Sequence, residues 1–550
     1  MQSLTSGLMR NQAAGLNMND RVAIAAFLTG KAPGNRTLAA ETNLCARHVP
    51  AKLDDGKGWN GWGRDLDNSR YQPSPGLTAA DVPHLKVRWA FGYRASYIYG
   101  QPTIVGDRLY ASSSAGRVYS LDAKTGCTHW TFDAADAVRT AVSVVQLPET
   151  GDGRIATVFG DDTATVYALD ANSGKLIWKK RLDSHPDARI TGAPVFHDGR
   201  LYVPVSSLEE LSAPAPGYEC CKFRGSVVAL EARDGTLLWQ TYTIDAQPAP
   251  YRKTATGTQL YGPAGGAVWS APTVDPKRNL LYVGTGNSYT DVPTTTTDSI
   301  LALEMSTGAV RWVNQLHAQD NYIVGCDSPA AAGKGDCPQT LGPDVDFGIA
   351  PILRSLPGGR QILLTGEKSG QVYGLDPDTG KQLWTTRVGV GSSLGGLEWG
   401  AAADGAHMYA AVSDAAATNA KPGGLVALRI SDGKQVWRAE PPTPVCSWGT
   451  RNCLAAQSQA VSAIPGVVFS GSQDGHLRAY SSVDGRVLWD FDTAQLFQTV
   501  NGVPGSGGSL DNGGATIAGG MLYVNSGYGR ITGQPGNLLL AFGVDGGGAP

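Results

Sequence analysis

The sequence predicts an all-β fold: an eight-bladed β-propeller of Trp-docked four-stranded blades, its ring closed by an N-terminal strand that completes the last blade. Three observations carry this prediction. One phrase returns along most of the chain, a tryptophan ends each return, and one further unit is split between the two ends of the repeating region.

The phrase reads "GRVYSLDAKTGCTHW" (116–130), "ATVYALDANSGKLIW" (164–178), "GSVVALEARDGTLLW" (225–239), "DSILALEMSTGAVRW" (298–312), "GQVYGLDPDTGKQLW" (370–384), "GLVALRISDGKQVW" (424–437) and "GHLRAYSSVDGRVLW" (475–489). Each is a strand, a polar turn containing glycine, and a second strand. Alternation in V-Y-x-L-D turns one face toward a core. The closing residues are Trp130, Trp178, Trp239, Trp312, Trp384, Trp437 and Trp489, read as packing between blades. An eighth unit, "GNLLLAFGVDG" (536–546), lacks its closing strand, and "HLKVRWAFGY" (84–93), with Trp89, supplies it. Closure of this kind removes open sheet edges.

Tryptophan spacing grows from 41 residues (Trp89 to Trp130) to 73 (Trp239 to Trp312), so the middle of the chain carries the longest loops. Two are "SSLEELSAPAPGYECCKFRG" and "QLHAQDNYIVGCDSPAAAGKGDCPQTLGPDVDFG". Loops on a rigid ring are where sites are built. Residues 1–40 differ. There "NMNDRVAIAAFLTGK" has helical periodicity, with Asn19 or Asp20 as cap. The expected organisation is a helical piece over 1–40 and the propeller over 57–545.

A net charge of −3 over 550 residues points to neither nucleic acid nor an anionic membrane surface. No apolar run is long enough to span a bilayer. Glycine, at 71 residues, is well above the ~7% usual, as many tight turns require. The first residues, "MQSLTSGLMRNQAAG", have neither the basic start nor the apolar stretch of a secretory leader, which we read as a processed or truncated form. The 8 cysteines lack C-x2-C zinc spacing. They divide into Cys326/Cys337, Cys446/Cys453, the adjacent Cys220/Cys221, and the remaining Cys45 and Cys127. Four disulfides imply an oxidising compartment, a periplasm or the exterior.

With the blade phrase, "AVWSAPTVDPKRNLLYVGTGN" (267–287) resembles the pyrroloquinoline-quinone (PQQ) dependent alcohol dehydrogenases. "WNGWGRDLDNSRYQ" (59–72), "SSLEE", "CCKFRGSVVAL" and "GPDVDFG" (342–348) look most like the polyvinyl alcohol dehydrogenase branch. The resemblance covers residues 57–545 and implies a flat PQQ near the propeller axis. Trp269 would stack on one face and a Cys220–Cys221 disulfide on the other, with sulfur–π contact worth about 0.3–1.5 kcal/mol in simpler cases. In the best-known members, however, the cysteine pair sits in an earlier blade. The resemblance also implies Ca2+, held by Glu210 (Glu209 as alternate) and Asn287, an oxygen set of the kind calcium prefers. Asp320, in "QLHAQDNY", is implied as the base that takes the alcohol proton and as part of the metal site. Ile323 stands where the family often has a second acid or amide. Asp344 and Asp346 are the rival bases. Lys368 is implied near the quinone oxygens as a charge stabiliser. Arg139, Thr140, Thr191 and Ser207 are implied at the PQQ carboxylates, and Trp399 and Asn501 on further central loops.

Residues 1–40 resemble the end of a c-type cytochrome domain, with Met9 as a ligand-like methionine. The chain has no C-x-x-C-H motif, and "CARH" (45–48) lacks the second cysteine. Electrons are therefore expected to leave to a separate cytochrome c. The implied activity is PQQ-dependent oxidation of secondary alcohols to ketones, with polyvinyl alcohol as substrate, in the periplasm or outside the cell. The alternatives are a non-catalytic periplasmic scaffold propeller that binds proteins, and a quinoprotein acting on small alcohols.

Overall fold

The repeated phrase builds its turn from its own side chains. In the first blade Asp122 Oδ1 accepts the Thr125 N–H at 2.9 Å and the Thr125 hydroxyl at 2.7 Å. Asp170 does the same with Ser173, and Asp376 with Thr379. The glycine that follows sits in the left-handed region, where a side chain is disfavoured: φ is +69° at Gly174 and +76° at Gly308. The computed structural model in which these turns are seen describes residue 24 and residues 38–47, 49–53, 56–148, 153–215, 217–327, 337–417, 421–450, 452–530 and 532–544. The helical, cytochrome-like piece expected over 1–40 lies outside the described residues, apart from residues 24 and 38–40.

Each turn meets the tryptophan of the preceding blade. A Cβ on Gly174 would stand 2.7 Å from the Trp130 ring. The Trp130 indole N–H donates to the carbonyl of Ala171, in the same turn, at 2.9 Å. Trp89, Trp178, Trp239, Trp312, Trp384 and Trp437 donate to the matching turn of the next blade in the same way. Trp489 packs edge-on against Phe542 of the next blade, with centroids 5.4 Å apart, and the turn that follows Phe542 extends beyond the described residues. The predicted tryptophan docking is thus present.

Seven blades are consecutive in sequence, over 103–133, 143–181, 188–242, 273–315, 352–387, 402–439 and 462–492. The third carries an extra two-residue strand, Ala188–Arg189. The eighth takes three strands from 516–543 and its outermost from Lys86–Gly92. Lys86–Gly92 pairs antiparallel with Leu538–Gly543, Trp89 opposite Ala541, so the ring closes as expected. Apolar clusters fill the space between neighbouring blades, as where Val158, Val166 and Trp178 meet Leu201, Val203 and Leu230.

Residues 59–72 form a strap across the ring. Trp59 pairs with Ile104 of the first blade, and the Asn60 amide bonds both ways with the Val144 peptide of the second. The carbonyls of Leu66, Asp67, Ser69 and Arg70 accept from Val274, Leu353, Ala403 and Ala463, in the first strands of blades four to seven. Arg70, 1% exposed, donates to the carbonyls of Val461 and Trp62 at 2.6 Å each. Burial pulls its pKa down to about 9.

Cys45–Cys127, Cys220–Cys221, Cys326–Cys337 and Cys446–Cys453 are all bonded. The glycine-under-indole contact yields a stability prediction. Gly174→Ala places a Cβ against the Trp130 ring at a left-handed position, and should cost about 1–3 kcal/mol. A urea midpoint equal to wild type would show that the contact does not constrain the ring.

Candidate active site

A cavity of about 320 Å³ opens among the loops that join the blades, within the size range of small-molecule sites. Its floor is an aromatic corner: Trp269 and Trp399 meet edge to face at 80°, centroids 5.2 Å apart. The Arg139 guanidinium lies 4.3 Å from the Trp399 centroid, and Lys368 Nζ 5.7 Å from that of Trp269. Gly348, the last residue of "GPDVDFG", makes room for Trp269, because a Cβ there would collide with the indole and with the Glu398 carbonyl. Trp62 of the strap, with Trp269 and Trp399, lines an adjoining void of about 10 Å³.

Lys368 is the electrostatic centre. Its Nζ donates to Asp344 Oδ1 and Asp346 Oδ2, both at 2.9 Å. Burial opposes its charge, but the two carboxylates outweigh that and raise its pKa. Asp346 Oδ1 also accepts the Asn287 N–H at 2.7 Å. Burial raises the Asp344 pKa well above the usual carboxylate range, against the opposing pull of Lys368.

The sequence reading makes Asp320 the base, and the structure places it just behind the cavity lining. Asp320 is 1% exposed and does not line the cavity. Its carboxylate accepts the peptide N–H groups of Asp344 at 2.9 Å and Val345 at 2.6 Å. It shapes the loop that presents Asp344 and Asp346, both of which line the cavity. Glu210 lines the cavity, whereas Glu209 faces away. Glu209 accepts from the Tyr218 hydroxyl and the peptide N–H groups of Lys222 and Phe223, and lies 3.3 Å from His185 Nε2. Asn287 also lines it. Its amide nitrogen is committed to the Ser288 and Tyr322 carbonyls at 2.9 Å, which leaves the amide oxygen as the group for a ligand.

Arg139, Thr191, Ser207, Trp269, Lys368 and Trp399 all line the cavity, as expected. Thr140 does not: its hydroxyl bonds the Gly160 peptide. Asn501 does not either, since its amide pairs with the Gly92 peptide on the closing strand. Cys220 and Cys221, 3% and 0% exposed, lie one layer behind the cavity surface. They belong to the apolar cluster that includes Tyr289, which does line the cavity, and against which Trp269 packs. The Cys220 and Cys221 peptides are held by the Tyr261 peptide. Sequence reasoning missed Ser206, Glu398, Ser458, Gln473 and Asp511. Glu398 was legible as the neighbour of Trp399 in "GGLEWG", and Asp511 lies in the same glycine-rich loop as Asn501.

The donor set fits PQQ. A flat aromatic corner suits a planar ring system. Arg139 has no carboxylate in salt-bridge contact among the described residues, and the Thr191, Ser206 and Ser207 hydroxyls stand beside it. Glu398 Oε2 is buried without a hydrogen-bond partner.

Comparison with known proteins agrees. Residues 59–340 match the family described as "Glucose/ethanol/alcohol dehydrogenase, beta-propeller domain", and residues 368–537 match "Outer membrane protein assembly factor BamB". A polyvinylalcohol dehydrogenase of Pseudomonas sp is 47% identical, over 98% of this chain and 88% of that protein. One from Sphingopyxis sp. (strain 113P3) is 43% identical, over 99% and 88%. The crystal structure of quinohemoprotein alcohol dehydrogenase from Comamonas testosteroni superposes with a TM-score of 0.65 at 20% identity, over 90% of this chain and 81% of that one. The chain belongs to the PQQ-dependent (quinoprotein) alcohol dehydrogenase family. Within it, the similarity to polyvinyl alcohol dehydrogenases runs along nearly the whole length.

Glu398 gives the site a measurable titration. Burial raises its pKa from 4.5 to about 8, although Lys368 pulls it down. The folded protein thus holds this proton more tightly than the unfolded chain. The resulting stabilisation is full below the unfolded value, declines above it and is gone above about 8. Glu398→Gln should flatten the loss of melting temperature across that window. An unchanged slope would assign the titration to other groups.

Proposed function

We propose that this chain oxidises the secondary alcohols of a polyvinyl-alcohol-like polymer to ketones, using PQQ and Ca2+. The observation that carries the reading is the Lys368–Asp344–Asp346 cluster beside the Trp269–Trp399 corner. PQQ, when bound, supplies the ortho-quinone that accepts hydride from the alcohol carbon. Trp269 and Trp399 orient its plane. Arg139, with Thr191 and Ser207, holds its carboxylates.

Asp344 is the base in this reading. One of its oxygens is bound to Lys368, its burial favours the protonated form, and its second oxygen has no bond among the described residues. Asp346, by contrast, uses both oxygens. Asp344 takes the hydroxyl proton, and Lys368 holds the carboxylate in place for it. Glu210 and the Asn287 amide oxygen are the protein's ligands for Ca2+. Among the described residues no three His, Cys, Asp or Glu side chains converge on one point, so such an ion takes further oxygens from elsewhere. The four disulfides support a periplasmic or extracellular location, and a separate cytochrome c is the proposed electron acceptor.

Titration with PQQ and Ca2+, followed by dye-linked oxidation, tests the reading. We expect stoichiometric binding that weakens on chelation, and turnover of the polymer. Asp344→Asn should lower kcat by about 10²–10⁴ with PQQ affinity retained. Turnover surviving in Asp344→Asn and lost in Asp346→Asn would move the base. Oxidation of small secondary alcohols alone would replace the polymer as substrate. No binding at micromolar PQQ would sink the proposal.

A further inference from the structure

Asp511 is a carboxylate on the cavity wall that has no capacity left for a ligand. It is 8% exposed, and four donors converge on it. Oδ1 accepts the Trp399 indole N–H and the Asn512 peptide N–H, the latter at 2.7 Å. Oδ2 accepts the Ser458 hydroxyl at 2.7 Å and the Gln473 amide at 2.9 Å. These partners come from the approach to the sixth blade, the approach to the seventh, and the seventh blade itself. A carboxylate so engaged is a poor base, and its position on the wall calls for another explanation.

The bond to Trp399 supplies one. Trp399 carries the Arg139 guanidinium on its face and meets Trp269 edge-on. A buried indole N–H usually finds a hydrogen-bond partner, and that bond adds a directional restraint to the packing of the ring. We propose that Asp511 is a positioning residue. By fixing the Trp399 ring through its indole N–H, it sets both the aromatic corner and the Arg139 guanidinium for an anionic planar cofactor. This rests on the PQQ reading above, which assigns Asp511 no role. Charge-assisted bonds of this kind are among the stronger ones in proteins.

The test is a double-mutant cycle on PQQ affinity, read by quenching of tryptophan fluorescence, with Asp511→Asn, Trp399→Phe and both together. An asparagine cannot accept from all four donors. Asp511→Asn should weaken PQQ binding about tenfold, the worth of one hydrogen bond to a charged group. Trp399→Phe keeps an aromatic ring without the N–H, and the double variant should be no worse than the weaker single one. Losses that multiply, or an Asp511→Asn affinity within twofold of wild type, would overturn the proposal. A second readout needs no cofactor. In protein labelled with ¹⁵N-indole tryptophan, the Trp399 N–H resonance, assigned by its absence in Trp399→Phe, should move upfield in Asp511→Asn. An unmoved resonance overturns the proposal as well. Should Asp511→Asn not fold, Trp399→Phe must show the tenfold loss with a wild-type melting temperature, and normal affinity there overturns it. Wild-type protein that binds no PQQ overturns the function proposed above, while the resonance still decides whether Asp511 holds Trp399.

Discussion

The contact on which this structure depends is an indole lying over a glycine. Among the described residues, seven junctions have a tryptophan from one blade covering the turn glycine of the next and donating its N–H to that turn. The glycine is needed twice over, once for its left-handed backbone and once because a Cβ would strike the ring. The aspartate or its substitute that begins the turn holds the accepting carbonyl in place. Short-range rules within a phrase of about fifteen residues thus set the long-range relation between sheets. Because the relation repeats, the ring has a fixed centre on which loops from all the blades converge.

The strap makes that centre usable. A ring of first strands would leave peptide groups facing an axial channel. Residues 59–72 pair with strands from six blades and cover those groups. They also put Trp62 beside the Trp269–Trp399 corner, around a small void next to the cavity. Arg70 is part of the same device. Its guanidinium is buried without a carboxylate, carried by carbonyl oxygens and the Trp62 face, which is tolerable because every acceptor lies on a rigid element.

The blades were legible because their signal is periodic and local. The loops were legible as loops, but not by which side chain turns inward. Arg139 and Thr140 are neighbours in the loop before the second blade, and one sits on Trp399 while the other bonds Gly160. Glu209 and Glu210 divide in the same manner, one toward the vicinal cysteine loop and one toward the cavity. Asp320 and Asp344 are 24 residues apart, and a hydrogen bond from the Asp344 peptide to the Asp320 carboxylate joins them. No spacing rule encodes that, because it depends on where a long loop returns. The Cys220–Cys221 pair was read as a lid from its chemistry. In the structure it is buried in the cluster that holds Tyr289 and against which Trp269 packs.

The cavity presents an electrostatic difficulty that its own geometry resolves. Five carboxyl side chains line it, Glu210, Asp344, Asp346, Glu398 and Asp511, against two cations, Arg139 and Lys368. An anionic cofactor would be repelled if all were fully charged and unscreened. They are not equivalent. Asp511 spends its charge on four donors, and Glu398 is held protonated at neutral pH by burial. Asp344 and Asp346 share one ammonium, and the buried Asp344 favours its proton. Glu210 lines the same cavity, as does Asn287, whose amide nitrogen is committed to the Ser288 and Tyr322 carbonyls. A divalent cation between Glu210 and Asn287 would offset carboxylate charge on that wall for an anionic ligand, and Arg139, over the Trp399 ring, adds a cation to the same cavity. What separates the carboxyl groups of this cavity is the number of donors each one has already been given.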